Sequence, residues 1–357
     1  MKMNKRNSLL ILCSMVLCTA LSAQIELPAK YKTRELNAPT LVKNRIAAQR
    51  ILIGQQKLKY NVGFTGVSNK TLAQITGEKE VNAQEITRVK NLQISRKLSP
   101  EAMEIIKVYL VACFASKKSY DARTQYYVTP ARDQQCGNCW SYSAMGAYEG
   151  SYLRVNGASA AAANSLNTSE QHVVNCSGAG NCGPEGGLAY QVFEWMVNNN
   201  KNIERESVLP DAGVVGSCGA TAPSTNYFAT DWGVVDPSGD VTKIASVASI
   251  KEAICKYGPV AASLVSTQAL QDYTNGVFYE NPSNYANPSS NHAIIILGWD
   301  DDKNAWLIKN SWGADWGENG YGWIDYGTNN VGRRASWVLA KKASKIIRPV
   351  KGIKAVN

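Results

Sequence analysis

Beyond residue 23 the chain carries seven cysteines, at 113, 136, 139, 176, 182, 218 and 255. Two of them stand three residues apart in QQCGNCWSYSA, Gln134 to Ala144. A C-x-x-C pair fits a zinc clip, a redox dithiol, or a reactive thiol beside a structural one. The compartment narrows that choice. Residues 1–23 read as an export signal, with basic Lys2, Lys5 and Arg6, an apolar stretch from Leu9 to Leu21, and small residues ending at Ser22 and Ala23. The apolar run is too short to span a membrane, so stable membrane insertion is not expected. The protein is expected to be secreted, to the extracellular space or a periplasm. Paired cysteines in such a place form disulfides, and an odd number leaves at least one thiol free.

The 357 residues, 45% of them hydrophobic, suffice to bury a large core. The formal charge of +10 is unevenly spread. Residues 24–118 hold 17 Lys and Arg against 7 Asp and Glu, residues 119–340 hold 12 against 21, and residues 341–357 hold 6 against none. A nucleic-acid binder gathers basic charge on its folded body, whereas this body is acidic, so no nucleic-acid partner is expected. A basic N-terminal segment beside an acidic body should instead dock on it.

The first segment reads as helical. Leu41, Ile46, Ile51, Leu52 and Leu58 suggest one amphipathic helix within 38–60, and YNVGFTGVS a short strand. SNKTLAQITG suggests a helical turn capped by Ser68 and ended by Gly77, and LSPEAMEIIKVYLVACF a helix opening at Ser99. From about Ser119 aromatics, glycine and cysteine become frequent. Helical patterns occupy 139–153, 168–175, 186–200 and SVASIKEAICKYGPV, and strand patterns follow from Val260. Helices first and strands later imply an α+β body with a cleft where the two halves meet. The run Asp300-Asp301-Asp302-Lys303-Asn304 joins two strand patterns and reads as a hairpin turn, not a calcium loop.

Cys139 begins a helical pattern, where free N–H groups and the helix dipole favour a thiolate. Such a nucleophile needs an imidazole, and the chain has two histidines, His172 and His292. His172, in TSEQHVVNC, reads as a partly exposed surface residue. His292 begins the apolar stretch HAIIILGW, a rigid place from which to serve a cleft, though equally a place for a hydrogen-bonded strand-end histidine. Asn310 ends the next strand pattern and Trp312 follows. An amide there can orient an imidazole and an indole can shield the contact, or the stretch is simply a glycine-rich turn with aromatic packing.

Four blocks, TPARDQQCGNCWSYSA, TSEQHVVNCSGAGNCGPEGG, NHAIIILGWDD and WLIKNSWGADWGENGYGWI, resemble the papain family of cysteine peptidases over residues 120–337. The resemblance implies a two-lobed papain-like fold, with a helical left lobe and an antiparallel, barrel-like β right lobe, and the active-site cleft between them. A mostly helical propeptide would precede it. It divides the chain into signal peptide 1–23, propeptide 24–118, peptidase domain 119–340 and basic tail 341–357. It makes Cys139 the nucleophile, His292 the base and acid, Asn310 the orienting residue and Trp312 its cover. An oxyanion hole would come from the Cys139 amide and Gln134, with Gln135 as the alternative. Gly186 and Gly187 match the glycine pair that binds an extended substrate, with Leu188 and Ala293 as pocket positions. The same resemblance pairs Cys136 with Cys182 and Cys176 with Cys218, and leaves Cys139 free. No metal or cofactor is implied. Substrates would be peptides or proteins, the propeptide an intramolecular inhibitor, and the molecule a monomer.

The chain departs from the family pattern in three places. DQQCGNC is one residue shorter between glutamine and nucleophile, CGPEGG lengthens the cysteine-to-glycine spacing, and the N-terminal segment lacks the long helix motif of most family propeptides. The shortened oxyanion segment leaves room for a catalytically silent peptide binder. The same residues would also serve acyl transfer to an amine. Cys255, within a helical pattern, reads most simply as a buried free thiol, with pairing to Cys113 as the alternative.

Overall fold

The computed structural model describes residues 25–109, 113–285 and 289–343. The signal sequence and all of the basic tail beyond residue 343 lie outside the described residues. Among the described residues no helix is long and apolar enough to cross a membrane.

The N-terminal segment holds α1 (Ala29–Glu35), α2 (Thr40–Gln55), β1 (Tyr60–Val62), α3 (Leu72–Ile75), α4 (Ala83–Ser95) and α5 (Pro100–Tyr109). Side chains set several of these starts. The Ser99 hydroxyl accepts the Ala102 amide at 3.1 Å to open α5, and Asn82 accepts the Glu85 amide at 2.9 Å to open α4. The short α3 is capped by Thr71 with Gln74 in a capping box, not by Ser68. The Ser68 hydroxyl is taken instead by the Thr65 amide, at 2.9 Å. The buried face of α2 differs from the expected one in part, since Ile46 is buried and Leu58 packs on the same core, as expected. Val42 and Ile46, four apart, face the core, while Leu41, Ile51 and Leu52 are exposed. The one-position shift puts Arg45 on the inner face, where it meets Asp272.

The body opens with β2 (Ser119–Asp121) and then α6 (Cys139–Asn156), α7 (Ala160–Ser165), α8 (Glu170–Cys176) and α9 (Ala189–Asn198). There follow β3 (Ala229–Val234), α10 (Val247–Tyr257), β4 (Val260–Leu264), α11 (Gln268–Gln271) and β5 (Tyr273–Phe278). The chain then runs through β6 (His292–Asp300), β7 (Ala305–Lys309), β8 (Tyr321–Asp325) and β9 (Arg333–Ala340). The strands lie in the order β1-β5-β8-β7-β6-β4-β9-β3, with β2 against β6. All pairs are antiparallel except β5 with β8. The outermost strand on one side, β1, comes from the N-terminal segment. The Asp300–Asn304 run forms the expected turn between antiparallel β6 and β7.

Two apolar cores meet along α6. One surrounds the sheet and takes Val42, Ile46, Tyr60 and Val62 from the N-terminal segment; the other gathers α6, α8 and α9. Gly146 lets α6 lie against β6, since a Cβ there would meet Ile295 Cδ1 at 2.2 Å. That close approach brings the first residue of α6 next to the first residues of β6.

Three disulfides tie the molecule: Cys113–Cys255, Cys136–Cys182 and Cys176–Cys218. The reading of Cys255 as a free thiol is therefore corrected. The apolar face of α5, Ala102, Ile105 and Ile106, packs in the same core as Ile250 and Ile254 of α10. The chain leaving α5 is thereby carried to within 5.0 Å, Cα to Cα, of Cys255. The partners are 142 residues apart, too far for spacing to announce them. Cys139 is the one free cysteine among the described residues.

The charge asymmetry is matched by contacts. Arg34, Arg45, Arg88 and Arg96 of the N-terminal segment pair with Asp315, Asp272, Glu194 and Asp231 of the body. Glu78 and Glu80 reverse the sign, pairing with Arg334 and Arg333.

Candidate active site

Cys139 is the first residue of α6 and is fully buried. Its sulfur accepts the Ala293 amide at 3.4 Å, which sets it beside His292 at the start of β6. His292 Nε2 lies 2.8 Å from Asn310 Oδ1, and its ring stacks on Trp312 with centroids 4.6 Å apart. Asn310 stands at the end of β7, its backbone N–H donating to the Gly320 carbonyl at 2.9 Å. His292 Nδ1 is buried without a partner, so the nitrogen turned away from Asn310 is free to exchange a proton.

The two adjacent glutamines separate by environment. Gln134 is buried, its amide donates to the Ser311 carbonyl at 2.8 Å, and its Oε1 accepts the Ser311 hydroxyl at 2.6 Å. Its Nε2 donates to the Cys136 carbonyl at 2.6 Å. Gln135 is exposed and its side chain donates to Asp133 O at 2.8 Å. The Cys136–Cys182 bond, with Gly137 N donating to Cys182 O at 3.1 Å, holds this loop against the stretch that ends in Gly186 and Gly187. Leu188 and Ala293 are buried in the same apolar cluster as Cys139 and Trp140. The other predicted disulfide, Cys176–Cys218, joins the end of α8 to a distant loop. His172 lies outside this group, half-buried against Trp195.

The cleft is filled by the chain itself. Gly77 donates to Asn291 O at 3.2 Å and accepts from Gly187 N at 3.2 Å, while Lys79 N donates to Gly187 O at 3.4 Å. The Trp312 indole donates to Ile75 O at 2.9 Å. The fit is backbone on backbone: a Cβ on Gly77 would meet Gly137 O at 1.9 Å, and one on Gly186 would meet Gly77 O at 1.8 Å.

Burial dominates the electrostatics of the closed site. It pushes the Cys139 thiol up to about 12, with the Ala293 and Gly77 amides opposing and the Glu78 carboxyl adding. Burial also pushes His292 down to about 4, with the Asn310 contact opposing. Between those limits the closed pair is a neutral thiol and a neutral imidazole. An ion pair requires water or substrate in place of the 76–80 stretch.

Behind the site lies a buried polar group that sequence reading missed. Arg132 pairs with Glu149 at 3.0 Å, and Lys309, beside Asn310, donates to the Thr129 hydroxyl at 2.9 Å. Burial pushes Lys309 below the usual lysine range. The available signal was a charged residue inside an apolar pattern, as in AWLIKN.

A family model described as "Papain family cysteine protease" matches residues 116–341. Among curated proteins, mouse "Cathepsin J" is 37% identical over 220 residues, 59% of this chain and 60% of its own length. "Cathepsin L" of Sarcophaga peregrina is 36% identical over 211 residues, 57% of each chain. The matched part thus spans about 60% of the curated relatives. The solved structure of digestive procathepsin L 3 from Tenebrio molitor larval midgut superimposes with a TM-score of 0.62 at 23% identity, covering 88% of this chain and 94% of that one. A Carica candamarcensis cysteine protease solved with E-64 covers 64% of this chain and all of its own, with a TM-score of 0.52 at 28% identity.

Proposed function

Given that the chain belongs to the papain family of cysteine proteases, we propose that it is an exported precursor that hydrolyses peptide bonds through Cys139, His292 and Asn310 once its N-terminal segment is displaced. The observation that carries this reading is the His292 ring held between Trp312 and Asn310, with its Nδ1 buried and unpartnered and the amide of the next residue, Ala293, on the Cys139 sulfur. In the opened cleft His292 takes the Cys139 proton, and the thiolate attacks the peptide carbonyl carbon to form a C–S bond. The oxyanion is held by the Cys139 amide and by Gln134 Nε2 turned from Cys136 O. His292 then protonates the departing amine as the C–N bond breaks. It next deprotonates a water that attacks the thioester carbon; the C–S bond breaks, the acid leaves, and Cys139 takes back a proton from His292.

Residues 24–118 act as the inhibitor in this reading, since 76–80 occupies the place of a substrate on Gly187. The body acts as a monomer, with no metal or cofactor called for by this chemistry. Its test is hydrolysis of a fluorogenic peptide by the full chain before and after limited proteolysis. Activity that appears only on processing supports the proposal, and none in either state sinks it.

The oxyanion assignment is tested by paired substitutions. Gln134→Ala should lower kcat/KM on the order of 100-fold or more, as loss of one such donor does, and Gln135→Ala by less than about twofold. The reverse order would transfer the role to Gln135.

The Cys113–Cys255 bond constrains processing. A cut in the exposed stretch around Lys117 and Lys118 leaves the N-terminal segment covalently attached, whereas a cut before Cys113 frees it. Trypsin-nicked protein should therefore run as one full-mass band on a non-reducing gel and as two after reduction. Two bands without reductant would refute the tether.

A further inference from the structure

Arg334 is the second residue of β9 and is 4% exposed. Its backbone is left-handed, φ 54°, which a non-glycine residue adopts only when its surroundings hold it there. Its guanidinium meets Glu78 Oε2 at 3.0 Å, Glu80 Oε2 at 2.8 Å and the Ser290 hydroxyl, and its Nε has no partner. The second Glu78 oxygen takes the Ser263 hydroxyl from β4. Glu78 is the residue that pairs with Gly187, next to Gly77 over Cys139.

Both carboxylates on Arg334 belong to the 76–80 stretch. Among the described residues the body offers Arg334 no acid of its own, and neighbouring Arg333 pairs only with Glu80. Displacing the stretch leaves a buried guanidinium facing the cleft, with Ser263 and Ser290 beside it. An apolar side chain entering there would strip water from that charge and give nothing back, which is the costly case for a buried ion. A glutamate restores the contacts that Glu78 makes, and an aspartate falls one methylene short.

We infer that the pocket ending in Arg334 selects a glutamate in the substrate, at the position that pairs with Gly187, immediately before the residue whose carbonyl Cys139 attacks. The N-terminal segment thus presents to the cleft the side chain that the cleft prefers. The 76–80 stretch itself runs the other way, with Gly77 over Cys139 and Glu78 following it on Gly187; the direction along the substrate rests on the peptidase reading, and the pocket chemistry on the Arg334–Glu78 contact alone.

The test uses protein processed from the full chain and fluorogenic peptides differing only at that position, with Glu, Asp, Gln, Leu or Lys. The Glu peptide should exceed Gln and Leu by about tenfold or more in kcat/KM, with Asp between. Arg334→Gly, which suits the left-handed backbone, should remove most of that advantage by lowering the Glu value and raising the Leu value, since no buried charge is then left for an apolar side chain to strip of water. A second arm measures binding of labelled Glu and Leu peptides to processed Cys139→Ala by fluorescence anisotropy, which needs no catalysis and covers a variant that fails to fold. Hydrolysis without a Glu preference, a ratio unmoved by Arg334→Gly, or equal binding of both peptides overturns the inference and leaves the peptidase reading intact. Tighter binding of the Glu peptide with no hydrolysis of any peptide does the reverse.

Discussion

Cys139→Ala is expected to reduce peptide hydrolysis by the processed protein to background, a loss on the order of a millionfold if the site works as a unit. No other thiol can substitute, because the six remaining cysteines of the described residues are paired. Stability should hold. The hydrogen bond that the Cys139 sulfur accepts from the Ala293 amide is a weak one at 3.4 Å, and removing one atom from a tightly packed helix start leaves only a small void. The check is hydrolysis together with thermal unfolding and disulfide mapping. A variant that keeps its three disulfides and its melting point yet retains a tenth of the activity would remove Cys139 from the role of nucleophile.

Gly77→Ala should have the opposite effect on the intact chain. The added methyl would stand 1.9 Å from the Gly137 carbonyl oxygen, which belongs to a backbone pinned by the Cys136–Cys182 bond and cannot swing aside. The 76–80 stretch must then lift. Overpacking of this kind costs about 1–3 kcal/mol, and each ~1.4 kcal/mol is tenfold in occupancy. Activity of the uncleaved chain should therefore rise about 5- to 150-fold. Gly54→Ala is the control from the same segment, since nothing lies within 4 Å of its Cβ. It should leave activity unchanged and strengthen the end of α2 by no more than about 1 kcal/mol. Equal activity of the two variants would mean that the cleft stretch does not hold the site shut.

What could be read from the chain alone follows from the range of the forces involved. Local signals placed α5 at its Ser-Pro start, α6 at Cys139 and the strand-rich second half. The residues of three short motifs, Cys139, His292, Asn310, Trp312 and Gln134, are those that the structure gathers at one cleft. Features fixed by distant contacts stayed hidden. Cys255 finds its partner only because α5 and α10 share a core. The inner face of α2 sets Val42 and Ile46 in the sheet core and Arg45 on Asp272, far along the chain, while Leu41, Ile51 and Leu52 stay exposed. Glu78 looks like one more surface acid in TGEKE until β9 brings Arg334 to it across 256 residues. Gly77 read as a helix stop, whereas its want of a side chain serves the approach to Gly137.

The central claim is that Cys139 is a nucleophile silenced by the segment lying over it, and labelling with a thiol-directed epoxide tests it most directly. The full chain and the processed protein are each treated across pH 4 to 9, and the modified residue is mapped by mass spectrometry. In the full chain burial holds Cys139 as a neutral thiol, so no label is expected. After processing, Cys139 alone should be modified, at a rate already on its plateau well below the free-thiol pKa of about 8.5, as a thiolate paired with imidazolium requires. Equal labelling of the uncleaved chain, label on another residue, or a rate that climbs only as pH approaches about 8.5 would contradict the account.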